Sequence, residues 1–262
     1  MTTFEAILIA IVEGVTEFLP ISSTGHMVLV QTFLGIGSST YTKTYIVSIQ
    51  LGAILSVVWL YRDRFFRSLD FYYKLAVGTV PALVLGFLLD DFIDSWLERP
   101  AVVAMALLLG GIVLLFIERW LRPRLDQEVT YRQAFFIGCF QCLALVPGVS
   151  RSAASIIGGM AQGLTRHRSA EFSFFLAVPT MFAATGYKLF SGLRKDPDLF
   201  LGQGVTHLIL GNIVAFVVAA LAIRFLITYL QRHDLKLFGW YRIVLGGLVL
   251  GLLWAGFDLS MS

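Results

Sequence analysis

The sequence predicts an all-α polytopic membrane protein built from two inverted-topology repeats, each a re-entrant helical hairpin plus three transmembrane helices. Three observations carry this. Hydrophobic residues make up 57% of the 262-residue chain and charged residues only 14%, with mean hydropathy +0.79. Repeated long apolar runs of this kind are membrane spans and exclude a soluble enzyme. Two further apolar stretches are each interrupted by Pro and a cluster of hydroxyl side chains, and the order hairpin then three spans occurs twice.

Residues 4–36 form the first interrupted stretch, broken at Pro20 among Ser22, Ser23, Thr24 and Gly25. Residues 133–164 form the second, broken at Pro147-Gly148 among Ser150, Arg151 and Ser152. Irregular backbone at membrane depth is tolerated only where protein or a water-filled cavity surrounds it, so both stretches read as two half-helices joined by a buried polar tip. The spans of the first half are Ile46–Tyr61, Leu75–Leu89 and Ala101–Ile117, and those of the second are Phe172–Phe190, Val205–Leu230 and Trp240–Phe257. Several are shorter than the ~20 residues of an ideal span, which interfacial Tyr, Trp and Arg ends or local thinning absorb. The whole is one integral membrane domain over 1–262, with repeat one at about residues 1–120 and repeat two at about 130–262. The halves also match weakly in sequence. An offset of 128 sets Glu13 on Gln141, Ile21 on Val149, Ser22 on Ser150 and Thr24 on Ser152.

Charge orients the chain. With the 62–74 loop in the cytoplasm, the loops at 118–132, 165–171 and 231–239 also fall inside. They carry Arg62, Arg64, Arg67, Lys74, Arg119, Arg122, Arg124, Arg132, Arg166, Arg168, Arg232 and Lys236, against Lys43, Arg99, Arg194 and Lys195 outside. That asymmetry obeys the positive-inside rule. The first hairpin then enters from outside and the second from inside, the layout of inverted-repeat membrane proteins whose broken helices meet near the midplane. The net charge of +3 is small and lies between apolar runs, which excludes nucleic-acid binding. Residues 1–12 lack the basic start of a signal peptide. Cys139 and Cys142 lie in an apolar helix without redox-domain context and read as packing residues.

Ionisable groups inside a membrane domain mark function. Glu13 and Glu17, four apart, share one helix face. Two carboxylates so placed either share a proton or hold a divalent cation, Mg²⁺ or Ca²⁺, whose shell phosphate oxygens complete. After Pro20 come Ser22, Ser23, Thr24 and His26. If a helix begins near residue 26, hydroxyls and free N–H groups at its start make an anion site. Ser23 is a candidate nucleophile, and His26, three residues on, a proton shuttle. Alternatively Ser22 or Ser23 merely caps the helix. In the second tip, Gly148 permits close backbone approach, and Ser150, Ser152 and Ser155 offer hydroxyls. Arg151 offers a planar fork that grips either a phosphate or one of the two Glu. This inventory suits phosphoryl transfer or phosphate-ester hydrolysis, and a site within the bilayer points to a lipid substrate.

The stretch from Glu13 to His26 (EGVTEFLPISSTGH) and Pro147-Gly-Val-Ser-Arg-Ser152 closely resemble the two signature regions of the bacterial undecaprenyl-diphosphate phosphatases, the bacitracin-resistance family. Thr130–Phe135, Ile137–Leu145 and Glu171–Pro179 are similar too, so the resemblance covers essentially the whole chain. It departs at Ser155, where the family commonly has Thr; a hydroxyl is kept. The resemblance implies removal of the terminal phosphate of undecaprenyl diphosphate. That returns the monophosphate carrier to cell-wall synthesis, with a divalent cation, in the bacterial inner membrane and on its outward (periplasmic) side. It implies roles for Glu13 and Glu17 in the acidic motif, Ser23 and His26 in the Ser-His region, and Ser150 and Arg151 in phosphate binding. The residues leave open whether Ser23 or an activated water attacks, and whether the chain is monomeric or homodimeric. Two other readings compete. One is a lipid-phosphate carrier, which needs binding groups but no nucleophile. The other is the acid-phosphatase type of lipid phosphatase, whose Ser-Arg is followed by a His and an Asp that this chain lacks. Among the remaining polar residues in spans, Lys188 and Arg224 are expected to snorkel, Gln50 and Asn212 to bond between helices, and His207 and His233 to sit at interfaces or in loops. Gly110-Gly111 and Gly246-Gly247 are expected to allow close packing.

Overall fold

A computed structural model describes residues 1–37, 39–66, 68–89, 99–121, 126–198, 202–257 and 259, which form helices and turns with no β-strand. Arg67, Arg122 and Arg124, assigned to inside loops, lie outside the described residues, as does the side chain of Lys195.

Both expected hairpins form. The first comprises α1 (Thr3–Thr16), an irregular turn through Pro20, and α2 (Ser23–Leu34). The second comprises α7 (Tyr131–Gln141), one 3₁₀ turn (Cys142–Leu145), an irregular turn through Gly148, and α8 (Arg151–Ala161). Between them run α3 (Thr40–Leu60), the short α4 (Arg62–Phe65), α5 (Leu69–Leu88) and α6 (Pro100–Trp120). After them come α9 (Arg166–Lys195), α10 (Gln203–Arg232) and α11 (Lys236–Trp254).

Several helices start where a side-chain cap dictates rather than where the apolar run begins. Ser39 and Ser68 cap α3 and α5, so each starts about six residues before the predicted span. For the same reason Lys43, Arg166 and Arg168, assigned to loops, sit in the first turns of capped helices, while Arg119 sits in the last turn of α6. Helix α2 begins at Ser23, three residues earlier than predicted, because Ser22 takes φ +70° and caps it. Five helices (α3, α5, α6, α10 and α11) are long and apolar enough to cross a membrane. The expected span at Phe172–Phe190 lies within α9, which is 30 residues long, carries Pro179 and is not one of the five.

The backbone repeats at the offset seen in the sequence. Thr2 and Glu5 form a capping box at the start of α1, and Thr130 and Gln133 form one at the start of α7. Ser22 and Ser150 are the positive-φ residues other than Gly among those described, at +70° and +74°, and each caps the following helix. Positions 2, 5 and 22 thus match 130, 133 and 150.

Packing interlaces the two halves. Helix α1 lies along α10, α7 along α5, and α6 along α11, while α3 packs on both α9 and α10. Close approach depends on bare backbone. A Cβ at Gly138 would collide with the Gly78 carbonyl, and one at Gly78 would press on the Ala134 carbonyl, so α5 and α7 touch through their main chains. Gly138→Ala is expected to lower stability by about 1–3 kcal/mol, read as a drop in the thermal unfolding midpoint of the detergent-solubilised protein. Under the tips lies an apolar cluster including Phe18, Ile156 and Phe174, with Phe18 edge-on to Phe174 at 5.5 Å. Outward-facing positions such as Phe87 and Trp254 are exposed apolar side chains, as lipid contact requires.

Candidate active site

The two tips meet at Glu17. It ends α1 with helical backbone angles, one turn after Glu13, and its carboxylate reaches both hairpins. Oε2 accepts the Ser23 hydroxyl at 2.7 Å, and Oε1 accepts Arg151 Nη2 at 3.0 Å. The side chains of Arg151 and Glu17 are 13% and 7% exposed, so this is a buried pair whose partners depend on one another.

Several contacts hold Arg151. Its Nη1 donates to the Ser173 carbonyl at 3.0 Å, Nη2 also approaches Met181 Sδ at 3.5 Å, and the guanidinium lies 5.4 Å from the Phe18 ring centre. Its Nε is buried with no partner among the described residues. The hairpins are stitched together by Ser152 Oγ, which donates to the Phe18 carbonyl at 2.6 Å. Ser155 Oγ donates to the Arg151 carbonyl at 2.8 Å and meets Ser173 Oγ at 2.6 Å. Ser152 and Ser155, expected to bind substrate, are fully buried, and their hydroxyls are spent on the scaffold. Gly148, also expected to bind substrate, has φ +95°, and a Cβ there would strike the Val103 backbone; its Gly identity serves the turn and its packing on α6. Ser22 and Ser150 act as caps, with Oγ accepting from Gly25 N at 3.4 Å and Ala153 N at 3.2 Å. Their left-handed φ costs on the order of 1–3 kcal/mol each. Ser23 and Thr24 remain half-buried at the start of α2.

His26 is not paired with Ser23. Its Nδ1 lies 2.7 Å from the Ser22 carbonyl, which can only accept, so Nδ1 carries a proton. In the neutral ring Nε2 is then an acceptor, and it meets the Tyr241 hydroxyl at 2.6 Å. The two rings are stacked, 5.5 Å apart and 9° from parallel.

Glu13 is fully buried, and among the described residues neither carboxylate oxygen has a hydrogen-bond partner; Glu17 and Gln50 are its polar neighbours. Unpaired carboxylate oxygens suit a cation or a proton. The fit to a metal is partial, because both Glu17 oxygens are engaged and no cluster of three His, Cys, Asp or Glu exists among the described residues. A divalent ion here would need phosphate oxygens to complete its shell.

The sequence reading missed Phe18, Ser173 and Tyr241, whose residue types carry no signal until the fold brings them in. It also missed Arg242, a lone guanidinium in an apolar run, although the same feature singled out Arg151. Arg242 is fully buried beside both tips. Gly110 leaves room for its guanidinium, Gly111 and Gly246 meet neighbouring backbone as expected, and Gly247 faces open space. Asn212 Oδ1 accepts from Gly52 N of α3 at 2.7 Å, an interhelical bond as expected. His207 lies near the start of α10. It is buried between Thr3 and Tyr41, whose hydroxyls lie 3.2 and 2.9 Å from its ring nitrogens.

Fold and site together define an integral-membrane protein in which two broken-helix turns join a carboxylate, a hydroxyl and a guanidinium. The family model described as bacitracin resistance protein BacA matches residues 6–248, and the chain belongs to that family. It is 53% identical over 254 residues to the undecaprenyl-diphosphatase of Flavobacterium johnsoniae, covering 95% of this chain and 96% of the relative. It is 46% identical, over an alignment 280 positions long that covers the whole of both chains, to that of Porphyromonas gingivalis. It is 43% identical over 251 residues to that of Aquifex aeolicus, covering 94% and 96%.

Proposed function

We propose that this protein is a membrane phosphatase that hydrolyses undecaprenyl diphosphate to undecaprenyl phosphate and inorganic phosphate. The observation that carries the reading is the Ser23–Glu17–Arg151 chain: a hydroxyl on a carboxylate that is itself held by a guanidinium. The family's relatives bear the name of this activity.

The prenyl tail stays in lipid and the diphosphate lies against the joined tips. Arg151 exchanges its carboxylate contact for phosphate oxygens, with Ser150 and Thr24 beside it. Ser23 Oγ attacks the terminal phosphorus as Glu17 Oε2 takes its proton. The bond to the departing undecaprenyl phosphate breaks, and that oxygen keeps the electron pair. Water then attacks the Ser23 phosphoester. Glu17 returns its proton to Ser23, and the proton of the water passes to the Tyr241 hydroxyl, which hands its own to His26 Nε2. Glu13 and Glu17 would hold Mg²⁺ or Ca²⁺, which when bound neutralises diphosphate charge.

The reading includes a bacterial plasma-membrane location with the site open to the outer leaflet, supported by the loop charges. It also includes an inverted duplication. Helix pairing supports this, because each hairpin's first helix lies along the second span of the other half, and the two third spans pair together.

Purified protein in detergent tests the proposal through phosphate release from undecaprenyl diphosphate, with Mg²⁺, with Ca²⁺ and with chelator. Cation-dependent release that Glu17→Gln abolishes is the expected result. A folded wild type that releases no phosphate under any condition makes lipid transport the better reading. A phosphate trapped on Ser23 supports covalent attack, whereas an active Ser23→Ala variant assigns the attack to water. Tyr241→Phe removes the donor that orients His26 and is expected to lower kcat by about 10-fold, with KM unchanged, because it loses one charge-positioning hydrogen bond.

A further inference from the structure

Arg242 lies at the start of the last helix and is fully buried. Bringing a guanidinium into a protein interior is costly unless every donor is satisfied. Here no carboxylate meets it among the described residues. Instead its five N–H donors find five backbone carbonyls. Nε reaches Leu107 at 3.4 Å, Nη1 reaches Val149 at 2.8 Å and Pro20 at 3.5 Å, and Nη2 reaches Ala106 at 3.0 Å and Gly148 at 3.0 Å. The carbonyls come from three segments: the first tip, the second tip and α6.

Geometry makes this more than packing. In a trans peptide the carbonyl and the following N–H point in opposite directions. Drawing the Val149 carbonyl onto Arg242 therefore sends the Ser150 N–H away from it. Ser150 opens the helix whose next residue, Arg151, reaches Glu17. Gly148 and Pro20 are held in the same way, one in each tip. Ser22 and Ser150, the strained residues of the two turns, each follow within two residues of a clamped carbonyl.

We propose that Arg242 is a positioning residue for the phosphatase reaction. It fixes the two tips against each other from behind, so that Ser23 and Glu17 on one and Arg151 on the other keep their register around the phosphate. The proposal rests on the phosphatase reading.

Gly110 supplies a second way to disturb the clamp. A Cβ there would overlap the guanidinium of Arg242, so Gly110→Ala perturbs it without changing any donor. Gly247, on the same helix as Arg242, faces open space and serves as the control. The test compares the full-length wild type with Arg242→Met, Arg242→Lys, Gly110→Ala and Gly247→Ala in detergent. It measures kcat and KM for undecaprenyl diphosphate, and amide hydrogen exchange with and without pyrophosphate as a probe. Arg242→Met is expected to lower kcat by about 100-fold, the effect of a small misplacement of reacting groups. Exchange should rise together in peptides covering 18–24 and 147–153, and pyrophosphate protection of those peptides should be lost. Arg242→Lys, with three donors, and Gly110→Ala should fall between Arg242→Met and wild type; Gly247→Ala should stay within about twofold of wild type, as surface-like changes do. Unchanged kcat in a folded Arg242→Met, or exchange that rises equally in all helices with no selective change at the tips, overturns the proposal. If wild type releases no phosphate, the phosphatase reading fails, and with it the stated role. Selective loosening of both tips would then leave Arg242 as a clamp of an anion site only.

Discussion

Glu17→Gln is expected to lower phosphate release by roughly 10²–10⁴-fold, the range for loss of a positioned general base. The amide keeps the size of the side chain and can still accept one hydrogen bond. It cannot take the Ser23 proton, and it presents one acceptor where two donors converge at 2.7 and 3.0 Å. Removing the charge also leaves Arg151 buried without its anion, so some stability goes with the activity. Comparing kcat with the unfolding midpoint separates the two effects. A variant that keeps wild-type kcat would exclude Glu17 as the base.

Arg151 gives the second large effect. Arg151→Ala leaves the Glu17 carboxylate buried without its cation, a change expected to cost about 3–5 kcal/mol. Arg151→Lys keeps the charge but loses the fork: an ammonium cannot span the Glu17 carboxylate and the Ser173 carbonyl while lying over Phe18. The Lys variant is expected to remain folded, with kcat/KM reduced by about 10²-fold, the worth of roughly 2–3 kcal/mol of charge-assisted hydrogen bonding. The double variant Glu17→Gln/Arg151→Met removes both charges. It should recover much of the thermal stability lost in Arg151→Ala while remaining inactive. Thermal unfolding and phosphate release on the same preparations check all three expectations.

Much of this architecture is legible in the chain because two simple signals coincide. Pro20 and Pro147-Gly148 interrupt apolar runs, and polar groups cluster only at those interruptions. That is enough to place both hairpins, and Glu17, Ser23 and Arg151 do converge. The legible part ends where side-chain direction takes over. Ser23 and His26 are three residues apart, yet the His26 ring turns back to the Ser22 carbonyl and stacks on Tyr241, more than 200 positions away in sequence. Ser152 and Ser155 look like phosphate ligands by type, but each satisfies a backbone carbonyl beneath the site. The starts of α3 and α5 are displaced because a Ser cap, not the first apolar residue, sets them. Neither the partners of His26 nor the five carbonyls around Arg242 have any local signature, since both arise from contacts between distant segments.

The interlaced halves also govern when the site comes into being during synthesis. Helix α1 lies along α10, and the helix that follows α10 supplies Tyr241 and Arg242. A ribosome therefore delivers Glu13, Glu17 and Ser23 to the bilayer long before it makes the residues that orient them. Contacts of such wide sequence separation form late, because the loop between them must close first. Until then the first hairpin has only its own turns to shelter two acidic side chains from lipid, which favours its waiting at the interface, partly hydrated. Joining of the two tips thus waits for α11, and products that end before it carry the signature residues without the Tyr241 and Arg242 contacts that hold them.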